Sequence, residues 1–282
     1  MEHMLASEKE PCFKNRIHQL KYDGSRAFLS NVGGKIKIIN RRGVIKNDNF
    51  PELLKIKLPP ETIVDGEIVY LTGEYHCDFY KLLQRNNTQD KFMQKLLMRK
   101  VPVTFISFDI LMFKGRDLRE LPLRERLEIL NKLSGNPEVF RICKSFENVK
   151  EIDKLIAKHN LEGKIIKKVD ARYVGGRSDL WVKKKVKVKE WFRVVGYKSM
   201  RRPISALLLK SNEGIVKGYV NFTMPEVASA LTSTETGVTL KDHENYSYKE
   251  LDGSLQAYVE YCPADITFLR EPVLLRVVVR ND

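Results

Sequence analysis

The sequence predicts an α+β protein in two parts, a larger domain that mixes strands and helices followed by a smaller all-β domain. Three observations predict it. Up to about residue 187, β-branched strand runs are interspersed with segments at helical spacing. From Val188 onward, short β-branched and aromatic runs dominate, as in a small sandwich or barrel. Between the two lies a lysine-rich stretch, Lys183, Lys184, Lys185, Lys187 and Lys189. A chain of 282 residues suits one large or two modest domains. The expected boundaries are 1–187 and 188–282.

Each element has its own warrant. KIKIIN (35–40) and TIVDGEIVY (62–70) read as strands, rich in β-branched residues and separated by turn signals. VTFISFDILMF (103–113) reads as a largely buried strand, and Gly115 then makes a turn. Leu123, Leu127 and Leu130 recur at helical spacing within 123–133. Residues 147–159 predict a second helix, and GKIIKKV (163–169) another strand. The second part contributes the runs WFRVVGYK, SALLLK, GIVKGYV, LQAYVEYC and VLLRVVV, with one short helix expected at PEVASAL (225–231).

Composition narrows the function. The net charge of +14 points first to a polyanion partner; a solvated basic surface is the plainer alternative. No apolar run is long enough to span a bilayer, and the basic residues form no amphipathic helix beside an apolar anchor. The start, MEHMLASEKEP, carries acids and lacks the apolar core of a secretory signal. Cys12, Cys77, Cys143 and Cys262 are scattered without a C-x-x-C pair, so neither a zinc site nor a disulfide framework is expected. A reduced, cytoplasmic setting is the default expectation.

The chemistry is concentrated in motifs. Lys21-Tyr22-Asp23-Gly24-Ser25-Arg26 has the form K-x-D-G-x-R. By itself this pattern is weak, because Asp-Gly is common in turns and such a lysine is usually solvated. Further segments follow in order: Asn40-Arg41-Arg42-Gly43 with Phe50-Pro51-Glu52-Leu53, then Asp65-Gly66-Glu67 at an expected strand end. Next come Asp78-Phe79 with Leu83-Gln84-Arg85, and Phe108-Asp109, expected to end an apolar strand, with GRDLRELPLRERL (115–127) behind it. Glu162-Gly163-Lys164-Ile165-Ile166-Lys167, Trp181-Val182-Lys183-Lys184-Lys185 and Arg270-Glu271-Pro272 complete the set. Together these resemble the motifs of ATP-dependent DNA ligases, relatives of RNA ligases and mRNA capping enzymes. The resemblance covers nearly the whole chain, and the ordered set is far more specific than any one motif.

The resemblance implies an ATP-grasp-like nucleotidyltransferase domain followed by an OB-fold, and a role for each residue. Lys21 would attack the α-phosphorus of ATP and carry AMP covalently. Free lysine has a pKa of about 10.4, so the site must favour the neutral amine. Lys183, Lys185 and Arg26 are the candidate cations for that and for holding phosphate oxygens. Gln19 and Leu20 precede the nucleophile; position 19 meets the adenine edge in relatives, which often carry Glu there. Glu67 would contact the ribose, and Phe108 would stack on adenine, although a Phe in an apolar strand is more often core. Glu162, with Glu67, would place Mg²⁺, or Mn²⁺ in its stead, because a hard cation takes oxygen ligands. Arg270 would come over the pyrophosphate.

If 183–185 is a strand, Lys183 and Lys185 share a face and Lys184 points away; a basic exposed edge strand is the alternative. Arg41, Arg42, Lys187 and Lys189 would meet the DNA backbone, where contacts position a duplex without reading sequence. The last motif is irregular. Arg276 and Arg280 compete for its second arginine, and the chain stops at Asp282 without the usual lysine. Only twenty residues precede Lys21, too few for the extra DNA-binding domain of larger ligases. The expected partner is nicked double-stranded DNA and the expected state a monomer. Recruitment by a clamp or end-binding protein is open, since no segment names one. An RNA ligase or capping enzyme shares the lysine chemistry. A non-catalytic OB-fold binder is the reading from another class, against which the retained Lys21, Glu67, Glu162, Lys183 and Lys185 argue.

Overall fold

Strands β1 (Met4–Ser7) and β2 (Arg16–Leu20) begin the chain in the computed structural model, which describes all residues except 1, 201–205, 223–224, 244–245, 264–267 and 281–282. Asp282 therefore lies outside the described residues. Two compact units emerge, Met1–Lys185 and Val186–Asp282.

The first unit continues with β3 (Ser25–Val32), β4 (Lys35–Asn40), a 3₁₀ turn (Pro51–Lys55) and β5 (Thr62–Val69). Then come α1 (Phe79–Asn87), α2 (Lys91–Lys100), β6 (Thr104–Phe113), β7 (Arg116–Asp117), α3 (Leu123–Leu130), β8 (Phe140–Ile142) and β9 (Ser145–Phe146). It ends with α4 (Val149–His159), β10 (Gly163–Lys168) and β11 (Gly176–Lys185). One sheet runs β1-β11-β10-β2-β9; the other runs β4-β3-β5-β6-β7, with β8 beside β6.

Strand alternation assigns the faces. Phe28 on β3 and Leu111 on β6 pack with Met4 and Trp181 of the first sheet and with Tyr173 of the loop between β10 and β11, so an apolar core lies between the sheets. Ala27 and Leu29, pointing the other way, join Leu82 of α1 and Leu123, Leu127 and Leu130 of α3. On the first sheet's outer side, α4 packs against β2 and β9. Caps fix the helices. The Asp78, Asp90 and Asn148 side chains accept from backbone N–H groups in the first turns of α1, α2 and α4. The first two N–H groups of α3 donate to the carbonyls of Ala171 and Val169.

Several motif residues turn out to be structural. Arg126 and Asp109, both fully buried, form a bidentate pair at 2.8 and 2.9 Å. Arg85 of α1 pairs with Glu52 and donates to the carbonyls of Asn49 and Val101. Two expectations need correcting. Asp65-Gly66-Glu67 and Phe108-Asp109 lie in strand interiors, not at strand ends, because β5 and β6 continue their pairing past both segments.

The second unit contains β12 (Val188–Met200), β13 (Ala206–Lys210), β14 (Val216–Asn221), α5 (Pro225–Ser233), β15 (Glu235–His243), β16 (Tyr246–Leu251), β17 (Leu255–Cys262) and β18 (Arg270–Val279). Long β12 pairs with β17 through its first half, β16 through its second, and β13 along its other edge. β13 pairs with β14 and β17 with β18. The N–H of Leu269 donates to the Lys217 carbonyl at 2.9 Å, linking the start of β18 back to β14. Phe192, Val194, Leu207, Leu209, Val220 and Val259 lie in the enclosed core.

Candidate active site

Residues 21–24 carry the chain from the first sheet to the second, because β2 ends at Leu20 and β3 starts at Ser25. Lys21 is tied to the first sheet by its N–H, which donates to the Gly163 carbonyl at 3.0 Å. Two glycines are sterically required here. A Cβ on Gly24 would stand 2.3 Å from the Ile68 carbonyl oxygen. Gly163 has φ +144°, and a Cβ there would stand 2.1 Å from the Lys184 carbonyl oxygen. The close approach of the 21–24 segment to β5 depends on the first, and that of β10 to β11 on the second.

Register places the functional side chains in rows across one face of the first sheet. Lys185 lies opposite Gly163. Lys183, Ile165, Gln19 and Ser145 form the next row, and Trp181, Lys167 and Ile17 the one after. Beside these rows is a cavity of about 260 Å³. Gln19, Leu20, Lys21, Arg26, Glu67, Phe108, Lys167 and Lys183 line it, and so does Arg41.

Glu162 Oε1 stands 2.6 Å from Lys21 Nζ and 3.7 Å from Lys185 Nζ. Lys183 is held at 2.8 Å by Glu8 in the N-terminal segment, and Lys184, on the opposite side of the strand, by Glu10. Gln19 is buried; its Nε2 donates to Ser145 Oγ at 3.0 Å, and its Oε1 is buried without a hydrogen-bond partner. Phe108 is an extra residue in β6. Asp65 pairs with Asp109 and Gly66 with Ser107, which leaves Phe108 on a bulge that aims its side chain at the cavity.

Arg26 lines the cavity, but its guanidinium is committed. It donates to Asp65 at 3.1 and 2.7 Å and lies 4.9 Å from the Phe108 ring centre and 5.4 Å from that of Trp181. Asp65 also receives the Tyr173 hydroxyl at 2.7 Å, with His3 Nδ1 at 3.2 Å. Burial disfavours the Asp65 carboxylate, yet Arg26 and His3 outweigh that and hold its pKa well below the usual range. Glu67 lacks such a bond. Burial, reinforced by Asp65 and Glu162, pushes its pKa up to about 8 against the pull of Arg26 and Lys21.

Sequence reasoning gave Lys167 no role, although Lys167 closes the E-G-x-x-x-K motif. It is almost wholly buried, donates to the Phe108 carbonyl at 3.1 Å, and sits 3.8 Å from the Trp181 ring centre. Burial lowers its pKa to about 8. Arg177, Tyr22 and Asp23 also line the cavity, as do Leu5 and Ala6 of β1. Apolar periodicity gives a four-residue strand such as β1 almost no signal. The other expected site residues lie elsewhere. Arg42 is exposed in the turn after β4. In the second unit Lys187 and Lys189 flank Glu260 at 2.9 and 3.7 Å, Arg270 opens β18 half-buried, and Arg276 and Arg280 are exposed.

Comparisons with known proteins bear on this arrangement. The family model described as ATP dependent DNA ligase domain matches residues 4–185, more than half of the chain. The SPbeta prophage-derived DNA ligase-like protein LigB of Bacillus subtilis is 33% identical over 183 residues, 64% of this chain and 65% of that protein. The multifunctional non-homologous end joining protein LigD of Pseudomonas aeruginosa is 30% identical over 201 residues, 68% of this chain but 23% of that protein. Among solved structures, the ligase domain of M. tuberculosis LigD superposes with a TM-score of 0.56 at 20% identity, covering 100% of this chain and 98% of that one. A Lig E DNA ligase superposes with a TM-score of 0.63 at 18% identity, covering 99% of both. At those identities the two structures speak to the fold alone, a mixed α/β fold built mostly of sheets. The family model spans β1 to β11, all the strands of the first unit and the cavity beside its first sheet, and the chain belongs to the ATP-dependent DNA ligase family.

Proposed function

We propose that the chain is an ATP-dependent DNA ligase that seals nicks through a covalent lysyl-AMP. The observation that carries this reading is Lys21 Nζ, 2.6 Å from Glu162 beside the cavity, with Lys183 and Lys185 on the same sheet face. The amine of Lys21 attacks the α-phosphorus of ATP. An N–P bond forms, the bond to the bridging oxygen breaks, pyrophosphate leaves with that electron pair, and the amine proton passes to solvent. AMP then moves to the 5′-phosphate of a nick, and the 3′-OH displaces it.

Adenine lies against Phe108, and Lys183 and Lys185 take the phosphate charge. Arg26, engaged by Asp65, shapes the wall rather than clamping phosphate. Glu67 and Glu162 fit Mg²⁺, which takes one or two carboxylates and completes its shell with substrate phosphates. Among the described residues no cluster of three or more His, Cys, Asp or Glu side chains forms a metal cage by itself. When bound, the cation would offset phosphate charge. The second unit, in which β12 pairs with β13, β16 and β17, β13 with β14, and β17 with β18, we read as an OB-fold. It supplies Arg270 for the first step. The basic surface, Arg41 and Arg42 included, takes the duplex backbone. A monomer acting on nicked duplex DNA in a reduced cytoplasm completes the reading.

The test is a sealing assay with Mg²⁺, ATP and a singly nicked DNA duplex, beside a nicked RNA duplex and the Lys21→Ala variant. ATP-dependent sealing of DNA that is lost in Lys21→Ala is expected. Lys21 labelled by ATP without DNA sealing would redirect the reading to an RNA acceptor. Labelling by GTP alone would indicate a capping enzyme, and no label from either nucleotide would overturn nucleotidyl transfer.

A further inference from the structure

We infer that Lys167 is a positioning residue, whose hydrogen bond to the Phe108 carbonyl fixes the Phe108 ring where the nucleobase stacks. The inference rests on the adenylation reading and specifies how the cavity holds its base-facing wall. Lys167 and Phe108 belong to different sheets, the first to β10 and the second to β6. Lys167 stands in the row between Ile17 and Trp181, and its side chain reaches across to the second sheet.

The bulge creates the need for such a tie. Phe108 is the extra residue of β6, without a partner on β5 between Ser107 and Asp109. A bulged residue leaves the regular ladder, so its orientation is less determined than its neighbours' and its carbonyl needs another donor. Lys167 Nζ supplies that donor at 3.1 Å. The same ammonium lies 4.5 Å from the Phe108 ring centre and 3.8 Å from that of Trp181, both within the range of cation–π attraction. Trp181 in turn meets the Phe108 ring edge-on, at 6.0 Å and 80°. One side chain therefore holds Phe108 by its main chain and by its ring.

Burial separates this role from phosphate binding. Lys167 is 2% exposed although it lines the cavity. The side chains of Lys21, Lys183 and Lys185 keep between 17 and 24% of their surface open. Phosphate charge falls to these more open lysines, while the Lys167 ammonium is committed to the wall. Packing alone does not call for a lysine here. A methionine has similar length and fills irregular space without the cost of burying a charge.

The experiment follows covalent labelling of Lys21 by radiolabelled ATP in the full chain with Mg²⁺, over a range of ATP concentrations. Lys167→Met should raise the ATP concentration for half-maximal rate by about tenfold, the effect of losing one hydrogen bond from a charged donor. The rate at saturation should stay within about twofold, because the loss is one of nucleotide binding. In a Phe108→Ala background, where the carbonyl remains but the ring is gone, Lys167→Met should change neither quantity. A merely structural role lowers the active fraction in both backgrounds and leaves the half-maximal concentration of the folded molecules in place. An unchanged half-maximal concentration in Lys167→Met would overturn the positioning role. So would a rise that persists in Phe108→Ala, or weaker competition by tripolyphosphate in Lys167→Met, since either assigns Lys167 to phosphate. A wild-type chain that ATP does not label would instead sink the adenylation reading, and this inference with it.

Discussion

The two units of this chain are held together by different means. The first buries charge: Asp65, Asp109, Arg85, Arg126, Lys167 and Glu162 are each less than 9% exposed. In the second, Thr234 is the only polar residue so buried among the described ones, and the core is aliphatic and aromatic. Burying ions is costly unless each is paired and hydrogen-bonded. In the first unit part of that cost falls at the cavity, where Asp65 fixes Arg26 and Lys167 holds the Phe108 carbonyl, and part in the structural pairs Arg126–Asp109 and Arg85–Glu52. The difference teaches that the first unit gives up stability for a fixed cavity wall and for paired charges in its core. The second needs only enough apolar area to close its sheet.

The largest test of that contrast removes one partner of the deepest pair. Arg126→Ala strands Asp109 at 0% exposure and should cost the first unit about 3–5 kcal/mol. The two tryptophans allow the units to be read separately, since Trp181 lies in the first and Trp191 in the second. In denaturant titrations, a Trp191→Phe background should show the transition moving to lower denaturant. In a Trp181→Phe background the same substitution should leave the Trp191 signal in place. A shift of both signals together would mean that the units unfold as one and that the contrast has no separate thermodynamic footing.

The converse substitution belongs to the apolar core. Leu209 is 0% exposed, and Leu209→Ala should cost the second unit roughly 3 kcal/mol, within the range for a buried leucine truncated to alanine. Here the Trp191 transition should move and the Trp181 transition should not.

The same contrast explains what the sequence disclosed. Motif glycines, lysines and acids of the first unit are legible because chemistry and close backbone approach restrict them. Gly24 and Gly163 admit no side chain, and Lys21 has to meet Glu162. What escaped reading was whatever depends on register. The bulge that aims Phe108 and the pairing of Ser145 with Gln19 arise from strands far apart in sequence. Strand β1 is too short to show a period, and α1 and α2 are separated by only three residues, with Leu97 the one buried side chain of α2. In the second unit, β-branched texture announced strands but not their order, because an apolar core accepts many arrangements of similar residues.

A smaller effect tests whether Lys167 belongs to the costly side of the comparison. Its pKa is lowered from 10.5 to about 8 by burial. Between those values the unfolded chain binds a proton that the folded unit does not, so stability must rise with pH across the window and fall as pH drops through about 8. From pH 8 to 10 the gain should be on the order of 2 kcal/mol. Denaturant midpoints read through Trp181 should lose that pH dependence in Lys167→Met. An equally steep dependence in the variant would place the titration elsewhere.

The smallest effect lies in the second unit and concerns charge at its surface. Lys187 and Lys189 share Glu260, at 2.9 and 3.7 Å, and both lysines are more than half exposed. Pairs this exposed contribute little to stability, because water and salt screen them. Neither Lys187→Ala nor Lys189→Ala should therefore move the Trp191 transition. If the pair meets a duplex, phosphate displaces Glu260 and counterions leave the DNA. Each alanine substitution should then flatten the plot of log affinity against log salt by about 0.9. Nicked-duplex affinities over a salt series measure this. A slope identical to wild type would confine both lysines to Glu260 and move the duplex contacts to Arg41 and Arg42. The binding surface, like the buried charge, would then lie in the first unit.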